Sequence, residues 1–433
     1  MKIFNSADIL VPKNTDLNAW SVVACDQYTS EASYWNKVSE HVGGRPSALN
    51  IIFPEIYLNE ENPEARIKNI NETMKKYLDE GIFEKYPDSV ILVRRRQRDG
   101  RTRYGVIGTV DLEQYDFSKG SSSRIRATEG TVLERIPPRV KIRENACLEM
   151  PHIIMLIDDR KKTVIEPLKE KKETFKKIYD FDLQMDSGHL TGYLPDREAT
   201  LKMLEAAEAL GDETAFREKY KTDSPVLQYA VGDGNHSLAT AKTCWENIKK
   251  NLSPEEMENH PARFALVELM NVHDDALEFE PIHRVVFDVN PEEVTAALKE
   301  FYPQLSEEDN GGHKIVCCTR GKTKTFYINN SGSNLPAGTL TLFLDDYIAR
   351  SGGRIDYIHG EEVVKSLCGQ DGTIGFILPA MEKNQLFETV IKDGVLPRKT
   401  FSMGEAHDKR FYLECKNIQF LKNNFGKFYN SSI

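Results

Sequence analysis

An apolar run at residues 226–231 passes directly into Gly232-Asp233-Gly234, and apolar residues then recur at helical spacing as far as Ile248. This pattern predicts a buried strand followed by an amphipathic helix. The two glycines allow a sharp turn between these elements and a close approach of a ligand to the backbone. Together with further strands and helices along the chain, the pattern predicts a mixed α/β (α+β) protein with hairpins.

The start of this helix is predicted to bind phosphate, because N–H groups and the positive end of the helix dipole meet there. Asp233, Asn235 and His236 add a base or metal ligand, an amide and a proton donor. Gly232, Gly234 and Ser237 complete the predicted phosphate-binding turn. A Walker A loop is excluded because its Gly-Lys-Ser/Thr ending is missing. The alternative is a tight structural turn in which Asn235 or Ser237 caps the helix.

A second candidate lies in the polar segment 115–145, which reads as a long loop. Loops of this length inside a compact domain are either functional or disordered. Arg126 and Arg139 suit the binding of phosphate or carboxylate, and Thr131 adds a hydroxyl. Glu129, among these arginines, is a candidate general base. The alternative is a solvated cluster of mutually paired charges.

Two further groups follow predicted strands, where functional residues often collect. They are His273-Asp274 and the pair His283-Arg284. Lys399, in Arg398-Lys399-Thr400, could reach an anion from the C-terminal part. The alternative for each histidine is a structural role.

Composition restricts the class of partner. The chain has 433 residues and a net charge of −10, which argues against attachment to nucleic acid or to anionic lipid. The N-terminal sequence shows no signal peptide, and no segment approaches a membrane span. The seven cysteines lack the spacing of a zinc site, so we expect reduced thiols in a cytoplasmic protein.

The order of elements suggests two domains, 1–288 and 289–433, the second a smaller α+β part. The sequence predicts a helix over 63–78 and a strand hairpin that turns at Asp99-Gly100. Charged helices are expected over 165–178 and 195–220. A second hairpin is expected over 314–329, with its turn at Gly321.

Several short motifs, taken in order, resemble the bacterial and archaeal domain-of-unknown-function family 1015, and the resemblance covers nearly the whole chain. The motifs are Asp26-Gln27-Tyr28, Glu129-x-Thr131 with Arg139, the apolar strand to Asp158-Asp159, the segment 232–236, His273-Asp274, the segment 281–284, Asp356-Tyr357-Ile358-His359 and the segment 396–400. By association, members of this family are linked with serine biosynthesis.

The Asp-Gly-x-His element is also similar to the phosphate-binding box of the ParB/sulfiredoxin superfamily, which implies a ParB/sulfiredoxin-like core. That superfamily includes nucleotide-dependent kinases of free serine, in which a glutamate activates the serine hydroxyl. The related box usually has arginine after the histidine, whereas this chain has Ser237. The missing charge would then come from elsewhere, such as Arg126, Arg139, Arg284 or Lys399.

These resemblances imply a nucleotide-dependent phosphotransferase acting on a small hydroxy amino acid, serine or phosphoserine, with ADP or ATP as its partner. Glu129 or Asp233 would accept the hydroxyl proton, and magnesium would bind at Asp233 and the phosphates. Alternatives are a phosphate-ester hydrolase and a non-catalytic nucleotide-sensing or ParB-like nucleic-acid-binding regulator. No nucleic-acid or membrane partner is expected, and a homo-oligomer is compatible with the sequence.

Overall fold

The structure is a computed structural model that describes residues 2–58 and 60–420. Its strands form where short apolar runs carry β-branched and aromatic residues. In chain order they are β1 (Phe4–Asn5), β2 (Ala7–Pro12), β3 (Phe83–Ser89), β4 (Ile91–Arg96), β5 (Thr102–Asp111), β6 (Ile125–Ala127), β7 (Leu148–Glu149), β8 (Ile154–Ile157), β9 (Lys176–Asp182), β10 (His189–Leu194), β11 (Tyr229–Asp233), β12 (Phe264–Asn271), β13 (Phe279–Phe287), β14 (His313–Thr319), β15 (Lys322–Ile328), β16 (Arg354–His359), β17 (Thr373–Ile377), β18 (Phe401–Met403) and β19 (Lys416–Asn417).

Helices begin in many places at Asp, Asn or Ser caps, as at Asn62, whose side chain accepts the Ala65 N–H. In chain order they are α1 (Leu17–Trp20), α2 (Ala32–Val42), α3 (Pro63–Asp79), α4 (Ile136–Arg143), α5 (Glu166–Lys171), α6 (Arg197–Ala209), α7 (Glu213–Tyr220), α8 (Asn235–Ile248), α9 (Pro254–Asn259), α10 (Pro291–Phe301), α11 (Pro336–Ser351), α12 (Glu361–Leu367) and α13 (Lys383–Asp393). The mixed α/β class predicted from the sequence is confirmed. In the described part of the chain, no helix combines the length and apolar character needed to cross a lipid bilayer.

The chain divides into two compact units that alternate along the sequence. Among the described residues, the first unit takes 2–58, 60–127, 131–277 and 405–420. The second takes residues 128–130 and 278–404. This division differs from the single boundary at 288 predicted from the sequence, because residues 405–420 belong to the first unit.

Backbone pairing explains this division. Leu10 and Cys415 exchange two hydrogen bonds of 2.8 Å, and the Tyr412 N–H donates to the Val22 carbonyl at 2.8 Å, so the segment after 405 belongs to the first unit. The Leu396 N–H donates to the Thr128 carbonyl at 2.7 Å, which brings residues 128–130 into the second unit. Pairings this short leave no periodic signal in the sequence.

A mixed sheet forms the centre of the first unit. Its strand order is β6-β11-β8-β12-β5-β4-β10-β9, and β1 pairs with β5. Strand β11 is parallel to β6 and antiparallel to β8, whereas β8 and β12 are parallel. The core around this sheet contains Trp20, Trp35 and Trp245, all buried.

The second unit is built on an antiparallel sheet of order β15-β14-β17-β13-β16, and β18 pairs with β13. Its core includes Phe326, Phe343 and Phe376. The hairpin predicted over 314–329 is confirmed, since β14 and β15 pair around Gly321, whose φ is +74°.

The other hairpin and the helix over 63–78 are also confirmed, as β4 with β5 and as α3. The helix predicted over 165–178 is present as α5 and a following 3-10 helix at Lys172–Thr174, and is wrong beyond them, because β9 begins at Lys176. Strand β9 is the last strand of its sheet, and charged side chains are typical of such edge strands. The lysines of β9 therefore interrupt the alternation of apolar and polar residues that would have predicted a strand.

Two other expectations are corrected. The helix expected over 195–220 is two helices, because Asp212 caps α7 through a bond from the Ala215 N–H. The segment 115–145 is not a continuous loop, since it contains β6 and α4. Strand β6 lies beside β11, so the polar segment contributes directly to the sheet that carries the glycine turn at 232–234.

Candidate active site

Strand β11 passes into α8 through Gly234, and glycine is required there. Its φ of +75° lies in the left-handed region, and a Cβ atom would lie 3.0 Å from the Cα of Ile153. The Gly234 N–H donates to Oδ1 of Asp233 at 2.8 Å. Gly234 is the N-cap of α8, so the alternative in which Asn235 or Ser237 caps the helix is wrong. A glycine cap adds no side-chain oxygen, and the helix start keeps its attraction for anions.

The first turn of α8 carries a serine in contact with a buried histidine. Oγ of Ser237 lies 2.9 Å from Nε2 of His152, and the hydroxyl of Tyr412 lies 2.7 Å from Nδ1 of the same ring. His152 is only 6% exposed and Tyr412 only 3%, so both rings are held in the core. The Cys25 N–H donates to the Tyr412 oxygen at 3.2 Å. Ser237, His152 and Tyr412 thus form one hydrogen-bonded chain.

Asp26 adds a negative charge beside this chain. Its Oδ2 lies 3.9 Å from Nε2 of His152. Burial opposes ionisation of Asp26, but the positive charges of His152 and Lys409 and a hydrogen bond from Gln27 outweigh it and lower its pKa. The carboxylate is therefore ionised at neutral pH.

Lys409 supplies the cation of the site. Its Nζ lies 3.3 Å from Oδ2 of Asp233, and both side chains are largely buried. The predicted magnesium site at Asp233 does not fit this arrangement, because one carboxylate oxygen contacts an ammonium group and the other accepts the Gly234 N–H. Within residues 2–58 and 60–420, no three His, Cys, Asp or Glu side chains are grouped to hold a metal ion.

A buried ion-pair network fixes the segment that carries Lys409 and Tyr412. The guanidinium of Arg410 contacts the carboxylates of Glu268 and Glu414, and its Nε donates to the Pro151 carbonyl at 2.9 Å. Burial disfavours the charge of Arg410, but the two carboxylates outweigh burial and raise its pKa. Because Pro151 precedes His152, one arginine positions two of the site's segments.

A cavity of about 150 Å³ opens beside this chain of hydrogen bonds. His152, Ser237 and Tyr412 line one end, and the ion pair between Arg139 and Glu55 lines another part. The remaining wall is mostly apolar, with residues such as Ile51, Phe53, Met74, Ile142 and Leu266. The space is about five times the roughly 30 Å³ that one water molecule occupies in the liquid. A small organic molecule could therefore contact Ser237.

The predicted arginines of the first unit have other partners. Arg126 donates to the carbonyl oxygens of Ser123 and Pro225 at 2.8 and 2.6 Å, and burial lowers its pKa. Arg139 binds Glu55 and the Arg135 carbonyl. In the first unit, the cation beside the turn is Lys409 rather than either arginine.

Three more predicted residues surround the turn. Nε2 of His236 accepts the Val132 N–H at 3.3 Å. Oγ1 of Thr131 and Oδ1 of Asn235 are buried and make no hydrogen bond with the residues that the structure describes. Buried polar atoms of this kind usually have a partner, so these two oxygens are available to a ligand.

Glu129, His283, Arg284 and Lys399 belong to the second unit. Arg284 is buried over the ring of Tyr357 and donates to the Arg398 carbonyl at 3.1 Å, and burial lowers its pKa to about 10. Lys399 is exposed. The predicted site residues are therefore divided between the units, and the roles of these four stay predictions.

His283 has a structural partner in the second unit. Its Nδ1 accepts the Leu378 N–H at 3.2 Å. Glu129 pairs with Leu396 through a parallel backbone bridge.

His273 and the glycine turn at 232–234 lie at opposite ends of β8 in the first unit's sheet. Asp233 is paired with Ile154 at the beginning of β8, whereas Asn271 is paired with Ile157 at its end. Nε2 of His273 lies 2.6 Å from Oδ1 of Asp158. His273 is therefore separated from the turn by the length of β8.

The sequence analysis missed His152, Lys409 and Tyr412 as site residues, and treated Asp26 only as part of a motif. His152 directly precedes the predicted strand after Pro151, which was the one available signal. Lys409 and Tyr412 lie in a segment assigned to the other domain. Their place in the site depends on long-range pairing, which local patterns do not encode.

A family model described as "Protein of unknown function (DUF1015)" matches residues 8–347. No curated protein matches the chain by sequence.

Solved structures that resemble this chain are distant. SbnI with a C-terminal truncation from Staphylococcus aureus is 10% identical, with a TM-score of 0.35, covering 69% of this chain and 83% of the other. A mutant free serine kinase in complex with AMP is 12% identical, with a TM-score of 0.35, covering 71% and 96%. A conserved hypothetical protein from Pyrococcus furiosus is 11% identical, with a TM-score of 0.32, covering 72% and 98%.

Proposed function

The chain belongs to the DUF1015 family, a family of unknown function, and we propose that it is a phosphotransferase that moves a phosphoryl group from a nucleotide to a small hydroxylated amino acid. The observation that carries this proposal is the meeting of three groups at the start of α8. They are the Lys409 ammonium beside Asp233, the hydroxyl of Ser237 and the imidazole of His152.

Phosphoryl transfer requires positioning and neutralisation of negative charge more than any other contribution from the protein. The N–H groups of the first turn of α8 would hold phosphate oxygens, and Lys409 would offset their charge. Lys409 thereby takes the part that an arginine after His236 has in the related box. Oδ1 of Asn235, which is buried without a hydrogen-bond partner among the described residues, would bind a donor group of the substrate.

Proton transfer falls to His152 in the first unit. Asp233 is less suited to accept a proton, because its carboxylate contacts Lys409 and the Gly234 N–H. His152 contacts a hydroxyl directly and is oriented by Tyr412, which is the arrangement expected of a general base. Glu129 remains a proposed base from the sequence resemblance.

The nucleotide and the amino acid come into the proposal from the sequence resemblance. The cavity of about 150 Å³ has room for an acceptor of that size, and its Arg139–Glu55 pair offers both charges to a zwitterion. A divalent cation would arrive with the nucleotide phosphates, since Asp233 does not fit one.

The test is incubation of the full chain with ADP or ATP and serine, and separately with AMP or ADP and phosphoserine, followed by mass spectrometry of the products. We expect transfer in both directions and thermal stabilisation by nucleotide. Release of inorganic phosphate without acceptor phosphorylation would favour the hydrolase alternative. Absence of both transfer and stabilisation with every nucleotide would overturn the proposal.

A matched pair of lysine variants tests the cation. Lys409→Met should weaken nucleotide binding about tenfold, a loss of about 1.4 kcal/mol, whereas Lys37→Met on the exposed face of α2 should leave it unchanged. Equal affinities for the two variants in titration calorimetry would remove Lys409 from the site.

A further inference from the structure

We propose that Ser237 is a nucleophile, and that the phosphoryl group passes through a phosphoserine at this position before it reaches the acceptor. The inference rests on the proposed phosphotransferase function and adds a covalent intermediate to it. Its structural basis is the hydrogen-bonded chain from Ser237 through His152 to Tyr412, which reaches the wall of the cavity.

An activated serine requires a base within hydrogen-bond reach and a third group that orients the base. His152 meets the first requirement, with Nε2 2.9 Å from Oγ of Ser237. Tyr412 meets the second, since its oxygen lies 2.7 Å from Nδ1. Both rings are buried, which restricts their movement and favours this geometry.

The partners of Tyr412 decide which imidazole nitrogen can accept a proton. Its hydroxyl forms a side-chain hydrogen bond with the Cys25 thiol, and its oxygen accepts the Cys25 N–H. When the phenol proton points at the sulfur, the oxygen accepts from Nδ1–H of His152. Nε2 then presents its lone pair to the Ser237 hydroxyl, as a general base requires.

Asp26 stabilises the product of that proton transfer. Its carboxylate lies 3.9 Å from Nε2. It does not contact Nδ1, so the arrangement differs from a Ser-His-Asp triad, in which the acid binds the nitrogen remote from the serine. Asp26 and Tyr412 are positioning residues here, and Ser237 and His152 are the catalytic pair.

In the first half-reaction Oγ of Ser237 attacks the terminal phosphorus of a nucleoside di- or triphosphate. The bond from phosphorus to the bridging oxygen breaks, the shortened nucleotide leaves with that electron pair, and the Oγ proton passes to Nε2 of His152. The phosphoserine then lies at the start of α8, where the helix dipole favours its charge.

In the second half-reaction the acceptor hydroxyl attacks the phosphoserine and releases its proton to water. The bond from phosphorus to Oγ breaks, and Oγ of Ser237 recovers its proton from Nε2 of His152. The sum is one phosphoryl group moved from nucleotide to acceptor with release of one proton, and the enzyme is restored.

The decisive experiment uses the unmodified full chain and a nucleoside triphosphate whose terminal phosphorus is made chiral with oxygen isotopes and sulfur. Two successive displacements give overall retention of configuration in the phosphorylated acceptor, which we expect. Inversion would show direct transfer, and would overturn the intermediate while leaving the phosphotransferase intact. Absence of any transfer with any nucleotide overturns both.

Variants identify the phosphorylated position. After incubation with nucleotide alone, intact-mass and peptide spectra should show one added phosphoryl group on Ser237. Ser237→Ala should abolish it, and Thr243→Ala, which removes another hydroxyl from α8, should not. His152→Gln should slow phosphorylation about a hundredfold or more at unchanged nucleotide affinity. A label that persists in Ser237→Ala contradicts the proposal.

Discussion

Lys409 contacts Asp233 at 3.3 Å although the whole of residues 278–404 lies between them in the sequence. Under the proposed function, Lys409 would supply from a distant segment the positive charge that phosphate needs at the turn. The position after His236 could then hold the hydroxyl of Ser237. The same segment also brings Tyr412 to His152.

Gly234→Ala should destabilise the protein more than an ordinary glycine substitution at positive φ. The left-handed backbone costs an alanine about 1–2 kcal/mol. The new Cβ would also lie 3.0 Å from the backbone of Ile153 and 3.4 Å from the His152 ring, and overpacking adds about 1–3 kcal/mol. The free energy of unfolding in urea measures the sum of these two losses.

The matched control is Gly120→Ala, whose φ is +80° and whose added Cβ would have no atom within 4 Å. Gly120→Ala should lose only the about 1–2 kcal/mol of stability that the left-handed backbone costs an alanine. Equal losses in the two variants would show that the contact with Ile153 is relieved by a small shift.

Arg410→Met should cost about 3–5 kcal/mol, because it leaves the carboxylates of Glu268 and Glu414 buried without their cation. Arg350→Met breaks a surface pair with Asp346 and should cost only about 0.3–0.5 kcal/mol. Chemical denaturation compares them. A loss below 1 kcal/mol for Arg410→Met would mean that the two glutamates take up protons when the arginine is removed.

Asp158 should make acid stability depend on pH. Burial opposes its ionisation, but hydrogen bonds from His273, Lys219 and Tyr220 outweigh it and lower its pKa well below the ordinary value. The stabilisation is therefore complete above the unfolded pKa of about 3.9 and is lost as pH falls through the folded value.

At pH 7, Asp158→Asn should be less stable than the unmodified protein by about 2–3 kcal/mol. The difference should shrink as the pH is lowered below 4. Asp223→Asn, at an exposed carboxylate, should show neither effect. A stability difference between Asp158→Asn and the unmodified protein that stays constant down to acid pH would contradict a lowered pKa for Asp158.

The buried imidazole of His283 should make the second unit less stable at mildly acidic pH. Burial lowers the pKa of its ring, so the unfolded chain takes up a proton near pH 6.5 while the folded chain does not. Stability therefore falls as pH drops below 6.5. The hydrogen-exchange protection factor of the Leu378 amide, which donates to Nδ1 of His283, should fall below that pH. His283→Gln should reduce the dependence of the unfolding free energy on pH. Part of that dependence should remain, because burial also lowers the pKa of His313.

Local patterns predicted the elements that their own residues determine. The strand, turn and helix around Gly234 appear in the predicted order, although the strand is Tyr229–Asp233 rather than 226–231 and so includes Gly232. Both hairpins turn at the expected glycines. In each case the signal and the structure lie within about ten residues of one another, which is the range of turn and helix preferences.

The positions of the site residues depend on long-range contacts, which local sequence patterns do not predict. His152 acquires its place from Ser237 and Tyr412, neither of which is near it in the sequence. The predicted arginine cluster failed to supply the charge near the turn because Arg126 meets carbonyl oxygens and Arg139 meets Glu55. A run of charged residues indicates that these side chains will have hydrogen-bond or ion-pair partners, but it does not identify those partners.

The return of the chain to the first unit after residue 404 has a consequence during synthesis. A ribosome that has translated the strands β1 to β12 has produced the turn, His152 and Ser237, but neither Lys409 nor Tyr412. The whole second unit must be translated before those two residues emerge, which takes several seconds at about 5–20 residues per second. The proposed site therefore stays incomplete through that interval, because Lys409 and Tyr412 follow residues 278–404 in the chain.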